Sequence, residues 1–306
     1  MTKVARYSFF IIALCLTISL GTSVALAQAD GPVEFGRRVV NEALAAKGLK
    51  ALVDIKITVS GGPESYAITF PAGAARIVAA DANGAMYGAL ELAERIQRRG
   101  AGALRGPDVT GRPFLRDRGW NMFLTLPWDY AKNDTDYDPR ALVDPARWWF
   151  ANDGFWRSLL DQMARARLNW LDIHGTWDVS VTDAPNLYAY FIQSDRFPQV
   201  GVSPEIKARN LRRLNKVIAM AHARGIRVSL MAYEARFHTP HAPAPYPENE
   251  KDLYAYTREM VEKMIRQAPA LAARALGEME LDSDEVTQAL PGLVADLEGM
   301  LARFAA

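Results

Sequence analysis

One unit recurs between residues 114 and 269: a short apolar strand, a polar loop and an amphipathic helix. The predicted strands are Phe114–Leu124, Trp170–His174 and Arg227–Tyr233. The predicted helices are Asp153–Leu168, Pro204–Ala223 and Leu253–Gln267. Strands that alternate with helices favour an α/β fold with a parallel sheet. We expect the carboxyl ends of these strands to share one edge, which is where α/β barrels carry their chemistry.

The tail after residue 269 is too short to complete a barrel. A βαβ unit takes about 30 residues, so residues 270–306 cannot hold five further units. Asp282 to Glu285 predict a helix start, and apolar residues from Val286 to Phe304 recur at helical spacing. The sequence thus predicts an incomplete (β/α)8-type barrel of about three βα units over 114–269, with a C-terminal helix whose role is open.

Residues 28–105 predict a separate small α/β domain, joined by a linker at 106–113. Apolar residues alternate over 51–59, and Gly61-Gly62-Pro63 indicates a turn. Asn83 is predicted to cap a helix that ends at Gly100. The small residues Gly84, Ala85, Gly88 and Ala89 predict that this helix lies close to a sheet.

Residues 1–27 have the pattern of a signal peptide. Lys3 and Arg6 precede an apolar run of about 12 residues, and Ala25-Leu26-Ala27 is a small-x-small cleavage site. The run is shorter than the ~20 residues that span a bilayer as a helix. We expect cleavage before Gln28, a periplasmic or secreted protein, and no membrane contact afterwards. The alternative is a retained membrane anchor.

Composition argues against several kinds of partner. The chain has 36 basic and 35 acidic residues, so no basic surface for nucleic acid or anionic membrane is indicated. Its single cysteine, Cys15, lies in the predicted signal peptide, so we expect no disulfide in the mature chain. His238 and His241 lack a compact zinc spacing. We predict no metal and no cofactor, and the oligomeric state is open.

The first strand carries three predicted substrate-binding residues, Arg118, Trp120 and Asn121. A guanidinium donates paired hydrogen bonds to hydroxyls or a carboxylate, and a tryptophan face can stack on a pyranose ring. The structural alternative has Arg118 paired with Asp129 or Asp178 and Trp120 in the core.

The second strand ends in His174, with Trp177 and Asp178 just beyond it. Asp172 and His174 lie two residues apart and so share a strand face. A histidine beside a carboxylate suits proton transfer or substrate bonding. We predict His174 and Trp177 as substrate-binding residues. The alternative is a buried Asp–His pair on the floor of the barrel.

The third strand is followed by Glu234 and His238, and Tyr233 ends it. Tyr233 and His238 are predicted to bind substrate. Glu234 and Asp178 are the predicted catalytic carboxylates, since glycoside hydrolysis needs an acid and a base or nucleophile. The alternative is that Glu234 only binds substrate or pairs with Arg236.

The order of these parts resembles two carbohydrate-active families. Residues 74–90, with Gly84-Ala85-Met86-Tyr87-Gly88, resemble the α/β domain before the barrels of family 20 β-N-acetylhexosaminidases and family 67 α-glucuronidases. Arg118-Gly119-Trp120 resembles their first barrel strand, in which an arginine contacts the sugar. Residues 168–174 and 223–230 resemble the second and third strands.

The chain also departs from these families. No Asp-Glu pair follows a later strand, and Met231 stands where the hexosaminidase third strand carries a glutamate. The resemblance therefore implies an exported glycoside-hydrolase-like protein with an incomplete catalytic set. It would act on or bind a glycan with uronic acid or N-acetylhexosamine units. The alternatives are a truncated or diverged, non-catalytic sugar-binding protein and a periplasmic solute-binding module.

Overall fold

The structure, a computed structural model, describes residues 31–58, 61–123, 149–174, 188–231 and 249–268. The chain divides into two compact units, Met1–Arg112 and Pro113–Ala306. The predicted signal peptide and the predicted C-terminal helix lie outside the described residues. Among the helices in the described part, none combines the length and apolar character needed to cross a bilayer.

The first unit packs two helices with a four-stranded mixed sheet. Its helices are α1 (Pro32–Ala46) and α2 (Ala82–Arg99). Its strands are β1 (Val53–Ile57), β2 (Tyr66–Thr69), β3 (Ala75–Ala79) and β4 (Val109–Gly111). The strand order is β1-β3-β2-β4. Strand β3 runs parallel to β1, and β2 runs antiparallel to β3 and β4. Strand β4 lies where the sequence predicts a linker, so the sheet extends into residues 106–113.

Helix α2 lies close to the sheet because Gly88 faces it. A Cβ at Gly88 would lie 2.7 Å from Cγ2 of Ile77, and a Cβ at Gly36 of α1 would lie 2.9 Å from Cβ of Ala89. Contacts this short exclude a side chain at either glycine unless the neighbours move. The prediction that small residues bring α2 close to a sheet is confirmed.

The cap of α2 differs from the prediction. Asp81 is the N-cap, and its carboxylate accepts hydrogen bonds from the backbone N–H groups of Gly84 (2.7 Å) and Glu64 (2.8 Å). Asn83 lies inside the helix and donates from its amide to the Glu64 carboxylate at 3.3 Å. The prediction of Asn83 as the cap was wrong, because the earlier aspartate is the residue with extended backbone geometry.

In its described part, the second unit contains three parallel strands that alternate with helices. The strands are β5 (Gly119–Phe123), β6 (Trp170–His174) and β7 (Arg227–Met231). The helices are α3 (Asp153–Arg165), α4 (Tyr188–Phe191), α5 (Pro204–His222) and α6 (Glu250–Gln267). The sheet order is β5-β6-β7, with both pairs parallel. The predicted parallel sheet is confirmed, but β5 begins at Gly119 instead of Phe114, whose side chain is fully exposed.

One face of this sheet is apolar. Leu171, Ile173 and Val228 are fully buried on it. Helix α5 packs against β7, and α3 packs against α5; both helices carry buried side chains, among them Trp156 and Leu214. We call this the helix-covered face.

A lysine is buried among the helices of the second unit. Lys207 of α5 is 1% exposed, and its ammonium donates to the Val200 carbonyl (2.6 Å) and the Gln193 side-chain carbonyl (2.8 Å). Burial lowers the pKa of Lys207 to about 8, and the positive charge of Lys263 adds to the effect. Both acceptors are neutral, so no carboxylate among them offsets the cost of burying the charge.

We expect Lys207 to make stability rise with pH in the alkaline range. The folded-state pKa of about 8 lies below the ordinary value of 10.5, so between these pH values the unfolded chain binds more protons than the folded chain. The free energy of unfolding therefore increases as the pH rises through this range. At about 1.4 kcal/mol per pH unit, the gain is at most about 3 kcal/mol. Urea unfolding of wild type and Lys207→Met at pH 7.5 and 10 measures it. A stability difference between wild type and Lys207→Met that does not change with pH would contradict this prediction. Lys251→Met, at an exposed position, is the control.

Candidate functional site

Polar side chains form a row on the sheet face opposite to the helix-covered face. The parallel register pairs Asn121 with Asp172 and Asp172 with Ser229. Successive side chains of a strand point to opposite faces, so these three lie on the face away from Leu171 and Val228. We call this the polar face. Parallel sheets are usually apolar on both sides, so a polar row needs an explanation.

Trp170 joins this row through its indole. Its Nε1 lies 2.8 Å from Oδ1 of Asp172 and 2.8 Å from Oγ of Ser229, and the Ser229 hydroxyl donates to the same carboxylate. Ser229 is 1% exposed, whereas Asp172 is half-buried. The carboxylate is thus held by two donors and can still accept hydrogen bonds from a ligand.

A second set of contacts holds the Trp170 ring at the amino end of the sheet. The Arg227 guanidinium carbon lies 4.1 Å from the centre of the ring, a cation–π distance. Arg227 also forms an ion pair with Asp117. Both of these side chains are at least 40% exposed, so the ion pair by itself contributes little. Its effect is to keep the guanidinium over the indole.

Ser229 and Trp170 were missed as site residues. The sequence 227–231 alternates Arg, Val, Ser, Leu and Met, which is the period of a strand with one polar face. That alternation places Ser229 on a polar face, but only the register places it beside Asp172.

Removing the indole N–H is expected to destabilise the second unit. Trp170→Phe keeps a ring under Arg227 but removes the donor to Asp172 and Ser229, and hydrogen bonds to charged groups are worth about 1.5–3 kcal/mol. We expect a loss of about 2 kcal/mol in urea unfolding. In a double-mutant cycle, Trp170→Phe and Ser229→Ala should couple by at least about 0.5 kcal/mol. Trp170→Phe with Ser158→Ala, an exposed serine on α3, should be additive; additivity in both cycles would refute the network.

Arg118 lies just before β5, at the amino end of the sheet. Its backbone N–H donates to Oδ1 of Asn169 at 2.9 Å. Its guanidinium donates to the backbone carbonyls of Arg167 (2.7 Å), Leu115 (2.5 Å) and Arg116 (3.2 Å). The described contacts therefore tie the segment before β5 to the segment before β6, and sugar binding by Arg118 stays a prediction.

Trp120 and Asn121 lie on opposite faces of β5. Trp120 is in register with Leu171 and Val228 and is 54% exposed. It is therefore not the core residue of the structural alternative. Asn121 is exposed beside Asp172 on the polar face. The structure thus brings Asn121, but not Trp120, to the face of Asp172.

His174 is the last residue of β6, where its backbone is in register with Phe123 and Met231; its side chain lies outside the described part. Five further predicted residues lie outside the described ranges: Trp177, Asp178, Tyr233, Glu234 and His238. In the sequence they follow the carboxyl ends of β6 and β7, and their roles stay predictions. Within the described ranges, no three His, Cys, Asp or Glu side chains converge as metal ligands would.

Comparison with known proteins finds similar folds but no similar sequence. No family model and no curated protein matches this chain. A family 138 glycoside hydrolase that targets pectin rhamnogalacturonan II superposes with a TM-score of 0.65 at 19% identity, covering 90% of this chain. The fold thus resembles that of a glycoside hydrolase. A family 20 β-N-acetylglucosaminidase superposes with a TM-score of 0.50 at 16% identity over 89% of this chain.

The chain spans only part of the length of these structures, 42% of the first and 59% of the second. At such low identity the likeness concerns the fold alone. The family 20 resemblance expected from the sequence is thus supported for the fold, and the family 67 resemblance stays a prediction.

Proposed function

We propose that this chain is an exported glycoside-hydrolase-like protein that acts on a glycan with uronic acid or N-acetylhexosamine units. The observation that carries the proposal is the superposition over 90% of the chain with a glycoside hydrolase, at a TM-score of 0.65. Fold likeness does not by itself assign a function. The polar face is the second support, because the Asp172 carboxylate and the Asn121 amide suit a ligand rich in hydroxyls.

We propose that the three strands are the first part of a (β/α)8-type barrel. In such a barrel helices cover the outer face and the active site lies at the carboxyl ends of the strands. The helix-covered face of β5–β7 and the opposite polar face of Asn121, Asp172 and Ser229 fit this arrangement. Chain segments 175–187 and 232–248 follow the carboxyl ends of β6 and β7.

In this proposal the two carboxylates that follow β6 and β7, Asp178 and Glu234, perform the chemistry. One protonates the leaving oxygen, and the other activates water or attacks the anomeric carbon. Residues His174, Trp177, Tyr233 and His238 bind the sugar. This set of catalytic residues is smaller than that of the glycoside hydrolase families that the sequence resembles, so we expect slow turnover.

A panel of aryl glycosides tests the proposal with the purified full chain. Aryl glucuronide and aryl N-acetylglucosaminide are compared with aryl glucoside, which lacks both the carboxylate and the acetamido group. We expect release of the aryl group from one of the first two and none from the glucoside. Titration calorimetry with the corresponding free sugars measures binding separately.

The two measurements separate the alternatives. Binding without turnover would support a diverged, non-catalytic sugar-binding protein. Neither binding nor turnover with any sugar in the panel would overturn the carbohydrate assignment.

A further inference from the structure

A cavity of about 440 Å³ opens in the first unit at one end of its sheet. Its volume is within the range of about 300–1,000 Å³ that small-molecule sites occupy. It is lined by residues of β2, β3 and β4 and of the segments beside them: Thr58, Ser65, Tyr66, Ala67, Val78, Ala80, Thr110, Gly111 and Arg112. All nine lining residues belong to the first unit, whereas the polar face belongs to the second.

Arg112 supplies the charge of this cavity. It is the one charged residue among the nine described residues that line it. Its guanidinium lies against the turn at Gly62, where a Cβ would be 3.1 Å from the guanidinium carbon. In the described part of the chain, no carboxylate or carbonyl accepts a hydrogen bond from this guanidinium. The turn therefore positions a cation that keeps its hydrogen-bonding capacity for a ligand.

Two acidic residues adjoin the lining in the sequence, and both are directed elsewhere. Asp81, next to Ala80, accepts hydrogen bonds from the backbone N–H groups of Gly84 and Glu64. Glu64 adjoins the lining residue Ser65, but its carboxylate accepts hydrogen bonds from Asn83 (3.3 Å) and from the hydroxyl of Tyr87 (3.4 Å). Both donors belong to α2, and Tyr87 is fully buried. The carboxylate is thus turned toward the helix and does not neutralise Arg112.

The remaining lining combines hydroxyl groups with apolar side chains. Thr58, Ser65, Thr110 and the phenol of Tyr66 carry the hydroxyls, and in-register Ala67 and Val78 carry small apolar groups. Ala67 also pairs with Thr110, so polar and apolar groups are neighbours. A saccharide presents hydroxyls at its edge and C–H groups on its face, and a uronate adds a carboxylate that a guanidinium binds with paired hydrogen bonds.

We propose that this cavity is a second saccharide site that binds a uronate residue of an acidic glycan through Arg112. The choice of a saccharide rests on the proposed function. A glycan held at two sites on one chain dissociates more slowly than from either alone. The site would thus serve as an anchor for an acidic glycan.

Titration calorimetry with a trimer of galacturonic acid tests the site, using full-length protein at low salt. We expect Arg112→Gln to lower the affinity about tenfold, as loss of a hydrogen bond to a charged group implies. Arg105→Gln, which removes the same charge at an exposed position outside the cavity, should leave the affinity unchanged. Gly62→Val keeps the charge but places a side chain where the guanidinium lies, so it should also weaken binding. Equal thermal unfolding midpoints would show that the variants fold.

Two ligand controls identify the chemistry. A trimer of galactose lacks the carboxylate and should bind at least about tenfold more weakly than the galacturonate trimer. Inorganic phosphate should not compete with the trimer. Competition by phosphate would show an oxyanion site without saccharide specificity and would overturn the proposal. Wild-type affinity in Arg112→Gln would also overturn it. Binding that depends on Arg112 in a chain without hydrolytic activity would keep this site and reject the hydrolase proposal.

Discussion

Glu234→Gln is expected to reduce glycoside hydrolysis to the background rate. Proton transfer by a positioned carboxylate contributes about 10²–10⁴-fold to such reactions, and glutamine can neither hold nor give up the proton. Asp178→Asn should have an effect of similar size. Because two carboxylates that act together are not additive, the double variant should be little slower than either single variant. The measurement is kcat/KM on the aryl glycoside that the wild type cleaves.

The control for this prediction is Glu42→Gln, since Glu42 is an exposed glutamate on α1 of the first unit. It should retain wild-type kcat/KM. Titration calorimetry on Glu234→Gln separates chemistry from binding. Normal turnover in Glu234→Gln would remove this residue from the catalytic set, and weakened sugar binding with normal kcat would assign it to substrate binding, the alternative that the sequence left open.

Gly201→Ala is expected to destabilise the second unit by about 3 kcal/mol or more, since positive φ and overpacking each cost about 1–3 kcal/mol. Gly201 has a φ of +88°, and a Cβ there would overlap the backbone oxygen of Ala189 and lie 2.9 Å from its carbonyl carbon. That oxygen also accepts a hydrogen bond from Val202 at 3.2 Å. The contact is with backbone, which cannot rotate away as a side chain would.

Tryptophan fluorescence in urea measures this loss, because all seven tryptophans of the sequence lie in the second unit. Gly48→Ala separates the two costs, since Gly48 has a φ of +63° and no described atom within 4 Å of the position that a Cβ would take. Unfolding of Gly48→Ala is followed by circular dichroism. We expect its free energy of unfolding to fall by only about 1–2 kcal/mol, the cost of the left-handed backbone. Equal losses in the two variants would show that the contact with Ala189 has no effect.

Local chemistry made several elements predictable. The sequence predicts β6 at Trp170–His174, and the structure has the same bounds. The predicted starts of α3 and α5 are also correct, since Asn152 and Ser203 cap them with side-chain hydrogen bonds. For α6 the predicted start at Leu253 is three residues late, because the cap is Asn249. Each of these features depends on residues within one turn of the chain.

Other features depended on partners far away in the chain. Phe114 continues an apolar pattern into β5, yet the strand begins at Gly119 because the pairing with β6 begins there. Strand β4 exists because β2 offers it an edge. A lysine in a helix is normally exposed, but Lys207 is buried and its ammonium donates to the Gln193 side chain, 14 residues earlier.

By itself, the sequence determined the alternation of strands and helices, the parallel sheet and the close packing of α2, since periodicity, caps and small residues act over a few residues. Only the tertiary structure decided that Ser229 and Trp170 hold Asp172, that Trp120 lies on the opposite face, and that Arg112 lines a cavity. These relations are set by strand register and by turns that join distant segments. A shift of one residue in register would move each of these side chains to the other face, and no local pattern fixes that choice.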